Sequence, residues 1–319
     1  MFMNVAKSLL GSIGRRVVLG TAILGLMVGS NAFASPALRF IEPQLPGTFW
    51  RSYGSCDYEY SYQGQFPNGY YIVIAVLPKG CNPYSAPELT GVAATTDYTY
   101  LGELSDVAVY NKKGKQVGVL TGLTGAPIGI TTDVRGNVWV TNFPSNAISA
   151  FAPGASTPTA TYTDTLLSSM SFVTADQNSN IYISGQSAST GALEVDELNP
   201  ATGNFVPLSS ISGAIAGGIA FQAKTGLLWV CDEGTGSGGT ISSYASPSFK
   251  RRTQFAYSGV DTGIAVPASG PYLYALNNVV SGSGYNVSGV VYAVKTGQVV
   301  ASSPALNSAA EEVGIYLAK

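Results

Sequence analysis

A chain of 319 residues is long enough for two average domains or one large all-β domain. Only 11% of its residues are charged, the formal net charge is −2, and no basic cluster or stripe is present, which excludes nucleic acid or an anionic membrane surface as a partner. Histidine is absent, so Ser-His-Asp triads, imidazole acid–base catalysis and imidazole metal sites are excluded as well.

Residues 1–34 read as an export leader. Lys7, Arg15 and Arg16 precede an apolar run over residues 17–28, and Ala32-Phe33-Ala34 supplies a small-x-small cleavage signature, so the mature chain is expected to start at Ser35. The run is too short for a comfortable membrane span, and no later stretch of 18 or more apolar residues occurs. Arg15-Arg16 faintly resembles a twin-arginine signal, but Gly14 and Gly20 stand where polar flanks belong, and ordinary secretion is the expected route. Cleavage leaves 13 Lys and Arg against 18 Asp and Glu. The expected product is a periplasmic or secreted monomer with no membrane span, forming one domain over residues 35–319.

Residues 35–86 form a non-repetitive segment. Within it, residues 48–53, 57–62 and 70–77 are rich in aromatic and β-branched side chains and read as strands. Export to an oxidising compartment permits a disulfide, and Cys56 with Cys81 is the expected pair because both lie in this segment. Cys231, in the apolar run 227–231, reads as a buried thiol.

Residues 87–319 repeat. A short strand recurs as Tyr98-Thr99-Tyr100-Leu101-Gly102, Val138-Trp139-Val140-Thr141-Asn142, Ile181-Tyr182-Ile183-Ser184-Gly185, Leu228-Trp229-Val230-Cys231-Asp232 and Leu273-Tyr274-Ala275-Leu276-Asn277, at spacings of 40, 43, 47 and 45 residues. A preceding strand begins near Gly91, Gly129, Phe172, Gly218, Gly263 and Gly314. Turn residues that tolerate positive φ separate the two: Arg135-Gly136-Asn137, Lys224-Thr225-Gly226, Ser269-Gly270-Pro271. Periods of this length signal a propeller of four-stranded blades, and six first strands predict six blades. The last first strand, residues 313–318, has no sequel, so it is expected to pair with the N-terminal strands and close the ring. Trp139, Tyr182, Trp229 and Tyr274 share one position in the unit and are expected to pack between blades. Lys250-Arg251-Arg252, the one cationic triplet, reads as a solvated turn before an outer strand.

The segment Pro127-Ile128-Gly129-Ile130-Thr131-Thr132-Asp133, with Gly136-Asn137-Val138-Trp139-Val140-Thr141-Asn142 and Ile148-Ser149-Ala150-Phe151, resembles the NHL repeat, and more broadly the gluconolactonase or senescence-marker type of six-bladed propeller. That resemblance implies one divalent ion, commonly calcium, in the central channel, with Glu312, Asp261 and Glu311 as the candidate ligands. Asp261 and Glu312 stand one residue out of step with the family pattern, and the family's asparagines are absent. Two readings follow. One is a binding scaffold that meets a small molecule, glycan or protein at one rim of loops, with Asn142, Asp232, Glu233 and Asn277 as rim candidates and no cofactor. The alternative is a calcium-dependent hydrolase of lactones or related esters.

Overall fold

The computed structural model describes residues 48–53, 56–65, 71–79, 92–94, 98–102, 105–111, 116–235, 238–257, 263–267, 270–281, 284–302 and 306–308. The expected leader, the Cys56–Cys81 disulfide and the closing strand 313–318 lie wholly or partly outside these residues. The described part is all β. β1 (Thr48–Tyr53), β2 (Cys56–Gln65) and β3 (Tyr71–Lys79) form a three-stranded antiparallel sheet from the strands expected in the N-terminal segment. Four four-stranded meanders follow. They are β4 (Val92–Ala94) to β7 (Gln116–Leu120), β8 (Ala126–Thr132) to β11 (Ala160–Thr163), β12 (Leu167–Ala175) to β15 (Asn204–Pro207), and β16 (Ala216–Gln222) to β19 (Lys250–Tyr257).

The last sheet departs from the repeat. β21 (Tyr272–Ser281) and β22 (Gly284–Ala293) form a long hairpin flanked by β20 (Ile264–Ala265), and the far edge of β22 is covered in two pieces, β23 (Val299–Ser302) and β24 (Leu306–Ser308). The register is continuous in sense, with Val290 opposite Ser302 and Val287 opposite Leu306. β23 and β24 thus both pair with β22. The expectation of six uniform four-stranded blades is corrected accordingly: four are complete among the described residues, and the other sheets have five and three strands. The overlong hairpin, ten residues per arm, is the physical cause in the last sheet. It carries β24 alongside β3 of the N-terminal sheet.

The arrangement of blades follows from strand alternation. Successive side chains of a strand point to opposite faces, so a strand buried on both faces serves two neighbours. In β9 (Val138–Phe143), Val138 and Val140 pack with Tyr100, Val107 and Leu120 of the preceding sheet, while Trp139 packs with Met170, Ile181 and Ile183 of the following one. In β13 (Ile181–Ser187), Tyr182 turns forward to Leu228 and Val230. In β17 (Leu227–Asp232), Trp229 and Cys231 turn forward to Leu273, Ala275 and Tyr292. The shared large residue thus fills the seam between blades, as expected for Trp139, Tyr182 and Trp229, and Cys231 is a buried thiol. Outer strands are largely exposed to solvent. In β19, Lys250, Arg251 and Arg252 are all exposed; the triplet opens the outer strand itself.

Two of the seams are also stitched by hydroxyl groups. The first strands bulge at one repeat position, between Pro127 and Ile130, between Met170 and Phe172, and between Ala216 and Ile219. A bulge leaves backbone groups without a ladder partner. Thr141 Oγ1 accepts from Gly129 N (2.7 Å) in its own blade and donates to Ser171 O (2.6 Å) in the next, and Ser184 Oγ donates to Gly217 O (2.9 Å). Glycine is required at position 129, since a Cβ there would stand 2.7 Å from Ser171 O and 2.8 Å from Phe172 Cα. Thr141→Val, which keeps the shape but strands Gly129 N and Ser171 O, is expected to cost about 2 kcal/mol. Urea unfolding followed by circular dichroism checks this; an unchanged midpoint would remove the hydroxyl stitch from the account of the seam.

Candidate functional site

In a four-stranded meander the second-to-third and fourth-to-first connections emerge at one end. They define a single rim. Among the described residues this rim is knitted by backbone hydrogen bonds between connections. Asp164 N donates to Asn146 O (2.9 Å), Met170 N to Ser145 O (3.1 Å) and Ala188 N to Leu166 O (2.7 Å). The Asn146 side-chain amide also donates to Asp164 O. The connections after β9, after β11 and after β13 are thereby joined into one surface.

Two of the expected rim residues, Asn142 and Asp232, stand at this end with their side chains turned onto loop groups. Asn142, fully buried at the end of β9, accepts from Thr124 N (3.3 Å) and donates to Ala147 O (3.2 Å) and Ser149 Oγ (3.1 Å). Asp232, at the same repeat position in β17, accepts from Ala214 N (2.9 Å), Ile215 N (3.1 Å) and Gly234 N (3.1 Å). Both hold loops from beneath. Glu233 beside it is buried at 3% exposure. Asn277 is half-buried at the matching position of β21. In β13 that position is Gly185, where a Cβ would lie 2.2 Å from Ser169 O, so no side chain fits there. The rim exposes two large apolar side chains, Phe143 and Leu166 at 37% each, among hydroxyl side chains that include Thr165, Ser168, Ser189 and Thr190.

The candidate ligands Asp261, Glu311 and Glu312 lie outside the described residues. Among the described residues no group of three His, Cys, Asp or Glu side chains is placed to hold a metal, and no helix is long and apolar enough to cross a membrane.

Two sets of carboxylates that sequence reasoning missed prove well organised. Asp133 follows β8 at the opposite end of the blade. Its Oδ1 accepts from Arg135 N (2.9 Å) and Asn137 N (3.0 Å), and its Oδ2 from Asn137 Nδ2 (2.8 Å) and Trp139 Nε1 (3.2 Å). Asp176 repeats the arrangement with Asn178 N, Asn180 N, Asn180 Nδ2 and Tyr182 Oη. Burial, and then the charges of Glu197 and Asp176, hold the Tyr182 hydroxyl well above the ordinary tyrosine range, so it remains a donor. The signal was present in the sequence as an aspartate four residues before an asparagine and six before the seam aromatic, in two successive repeats. The second set is Asp164 with Asp196 on β14 (Leu193–Asn199), buried at 1% and 0% exposure.

No protein-family model matches the chain, and no curated protein matches it. Among solved structures, a chain in the crystal structure of a nidogen/laminin complex is similar, with a TM-score of 0.53 and 14% identity, over 76% of this chain and 91% of that one. At that identity the likeness shows the fold. The protein is a β-propeller built of four-stranded blades, as the seams and meanders describe.

Proposed function

We propose that this chain is an exported binding scaffold, a six-bladed propeller of the NHL and gluconolactonase kind whose mature domain spans residues 35–319 and which meets its partner at the knitted rim. In this reading β1–β3 and the C-terminal strand 313–318 make the closing blade; the position of β24 beside β3 supports it. The observation that carries the function is the rim itself. Loops bound to one another and held from below by Asn142 and Asp232 lose little freedom on binding, and their outward apolar side chains, Phe143 and Leu166, offer contact area. The nidogen/laminin structure is of a protein complex, and a protein partner is the use of the fold we favour here.

Immobilised mature protein is expected to capture a partner from the producing cell's envelope or culture fluid, and the double variant Phe143→Glu, Leu166→Glu to lose it with an unchanged melting temperature. Calorimetric titration with Ca²⁺ and a lactone panel tests the alternative, in which Asp261, Glu311 and Glu312 hold calcium. Calcium-dependent lactone turnover that Glu312→Gln abolishes would replace the scaffold reading.

A further inference from the structure

Asp164 and Asp196 are 32 residues apart in sequence, on two successive blades. Asp164 follows β11, and its backbone is pinned to Asn146 by the rim bonds described above, while its Oδ1 accepts from Leu166 N (2.7 Å). Asp196 stands on β14 opposite Ile183 and Pro207, on the same face as Leu198, which packs with Trp139 and Ile148 of the preceding blade. Asp164 Oδ2 and both Asp196 carboxyl oxygens are buried and receive no hydrogen bond from any N–H or hydroxyl of the described residues. The face shared with Leu198 turns Asp196 toward the blade that Asp164 ends, and after burial it is Asp164 that acts most on the Asp196 carboxyl. Two buried carboxyl groups without donors relieve their mutual repulsion by holding a proton between them.

Among the described residues the charges that act on Asp196 are both acidic, Asp164 and Glu194. Residues 136–223 contain five acids, Asp164, Asp176, Glu194, Asp196 and Glu197, and no Lys, Arg or His. The charged group facing the pair from β14 is Glu194, another acid. From β11 (Ala160–Thr163) the titratable side chain is Tyr162, whose hydroxyl donates to Pro200 O. β10 (Ala147–Phe151), β12 and β15 carry no titratable side chain, and on β13 Tyr182 turns to the opposite seam.

We propose that Asp164 and Asp196 are a proton-sharing acid pair that locks the seam between these two blades, and the rim connection above it, when singly protonated and loosens both when fully ionised. Burial first, then the contact with Asp164 and the charges of Asp164 and Glu194, push the Asp196 carboxyl up to about 8. The sign of the linkage follows. The unfolded chain releases this proton near the ordinary aspartate value of about 4, whereas the folded chain keeps it to about 8. The contribution to stability is complete below about pH 4 and is lost progressively as pH rises through about 8. Because Leu166 O accepts from Ala188 N, release at Asp164 reaches two rim connections together.

The test is the melting temperature of the mature protein against pH. The wild type is expected to lose roughly 5 °C or more between about pH 5 and pH 8.5. Asp196→Asn offers a neutral amide that can donate to Asp164 Oδ2, so it is expected to flatten that slope and to melt above the wild type at the alkaline end. Asp164→Asn serves as the second variant. Infrared spectra of the wild type should show a buried protonated carboxyl at neutral pH that disappears at about pH 9. A wild-type slope that persists unchanged in both variants, or no protonated carboxyl band, overturns the proposal. So does a Ca²⁺-induced rise in the wild-type melting temperature at alkaline pH that Asp196→Asn abolishes, because a divalent cation would then take the place assigned to the proton.

Discussion

Trp229→Ala is expected to lower folding stability by about 3–5 kcal/mol, a large share of the roughly 5–15 kcal/mol that a domain typically has. Trp229 is 1% exposed and fills the seam between two sheets, among Cys231, Ile241, Leu273, Ala275 and Tyr292, with its ring 6.2 Å from that of Phe255. Truncation leaves a cavity bounded by two rigid sheets, neither of which can collapse into it without disturbing its other seam. Trp229→Phe should cost far less, about 1 kcal/mol, because the indole Nε1 is buried without an acceptor and its removal relieves an unsatisfied donor. Urea unfolding followed by far-ultraviolet circular dichroism measures both. Equal losses for Ala and Phe would mean that ring shape, and not buried volume, decides the seam.

Asp133→Ala is expected to cost about 3 kcal/mol although no apolar contact is removed. One carboxylate satisfies two backbone N–H groups, the Asn137 amide and the Trp139 indole. The outer two of these can turn to water, but Trp139 is 3% exposed and its N–H would be left buried without an acceptor. Asp133→Asn should recover only part of the loss, since its NH₂ would confront either the Asn137 and Trp139 donors or the backbone donors. A double cycle with Trp139→Phe separates the contributions: Asp133→Ala should be cheaper in the Phe background by about 1 kcal/mol or more. Additivity of the two changes would break the proposed link between the turn and the seam.

Much of the fold was legible because the seams impose a local pattern. Val138-Trp139-Val140, Ile181-Tyr182-Ile183 and Leu228-Trp229-Val230 are apolar on both faces since both faces meet a neighbouring sheet, and an aromatic recurs where the next blade leaves room. Gly136 and Gly226 adopt φ of 82° and 64° in the hairpins where the sequence placed turns. The fifth strand of the last sheet was not legible, because nothing in Leu306-Asn307-Ser308 sets it apart from the outer strand before it. Rim residues were harder still. Asn142 and Asp232 read as polar groups at strand ends available to a ligand, whereas their carbonyl and carboxylate oxygens are taken by loop N–H groups that only the folded chain brings near. The Asp164–Asp196 pair has no local signature at all, since its two members meet across a seam and their neighbours in sequence belong to other contacts.

The alternation along the second strands separates residues that are adjacent in sequence. Val230 belongs with Tyr182 and Leu193, while Trp229 beside it belongs with Leu273 and Tyr292. Damage at Trp229 is therefore transmitted to a residue one repeat further on before it reaches the next peptide unit. Genetic suppressors of such damage would arise in the following blade, and a chimera that exchanged a single blade with a related protein would inherit two mismatched seams, however well that blade folded in its original setting.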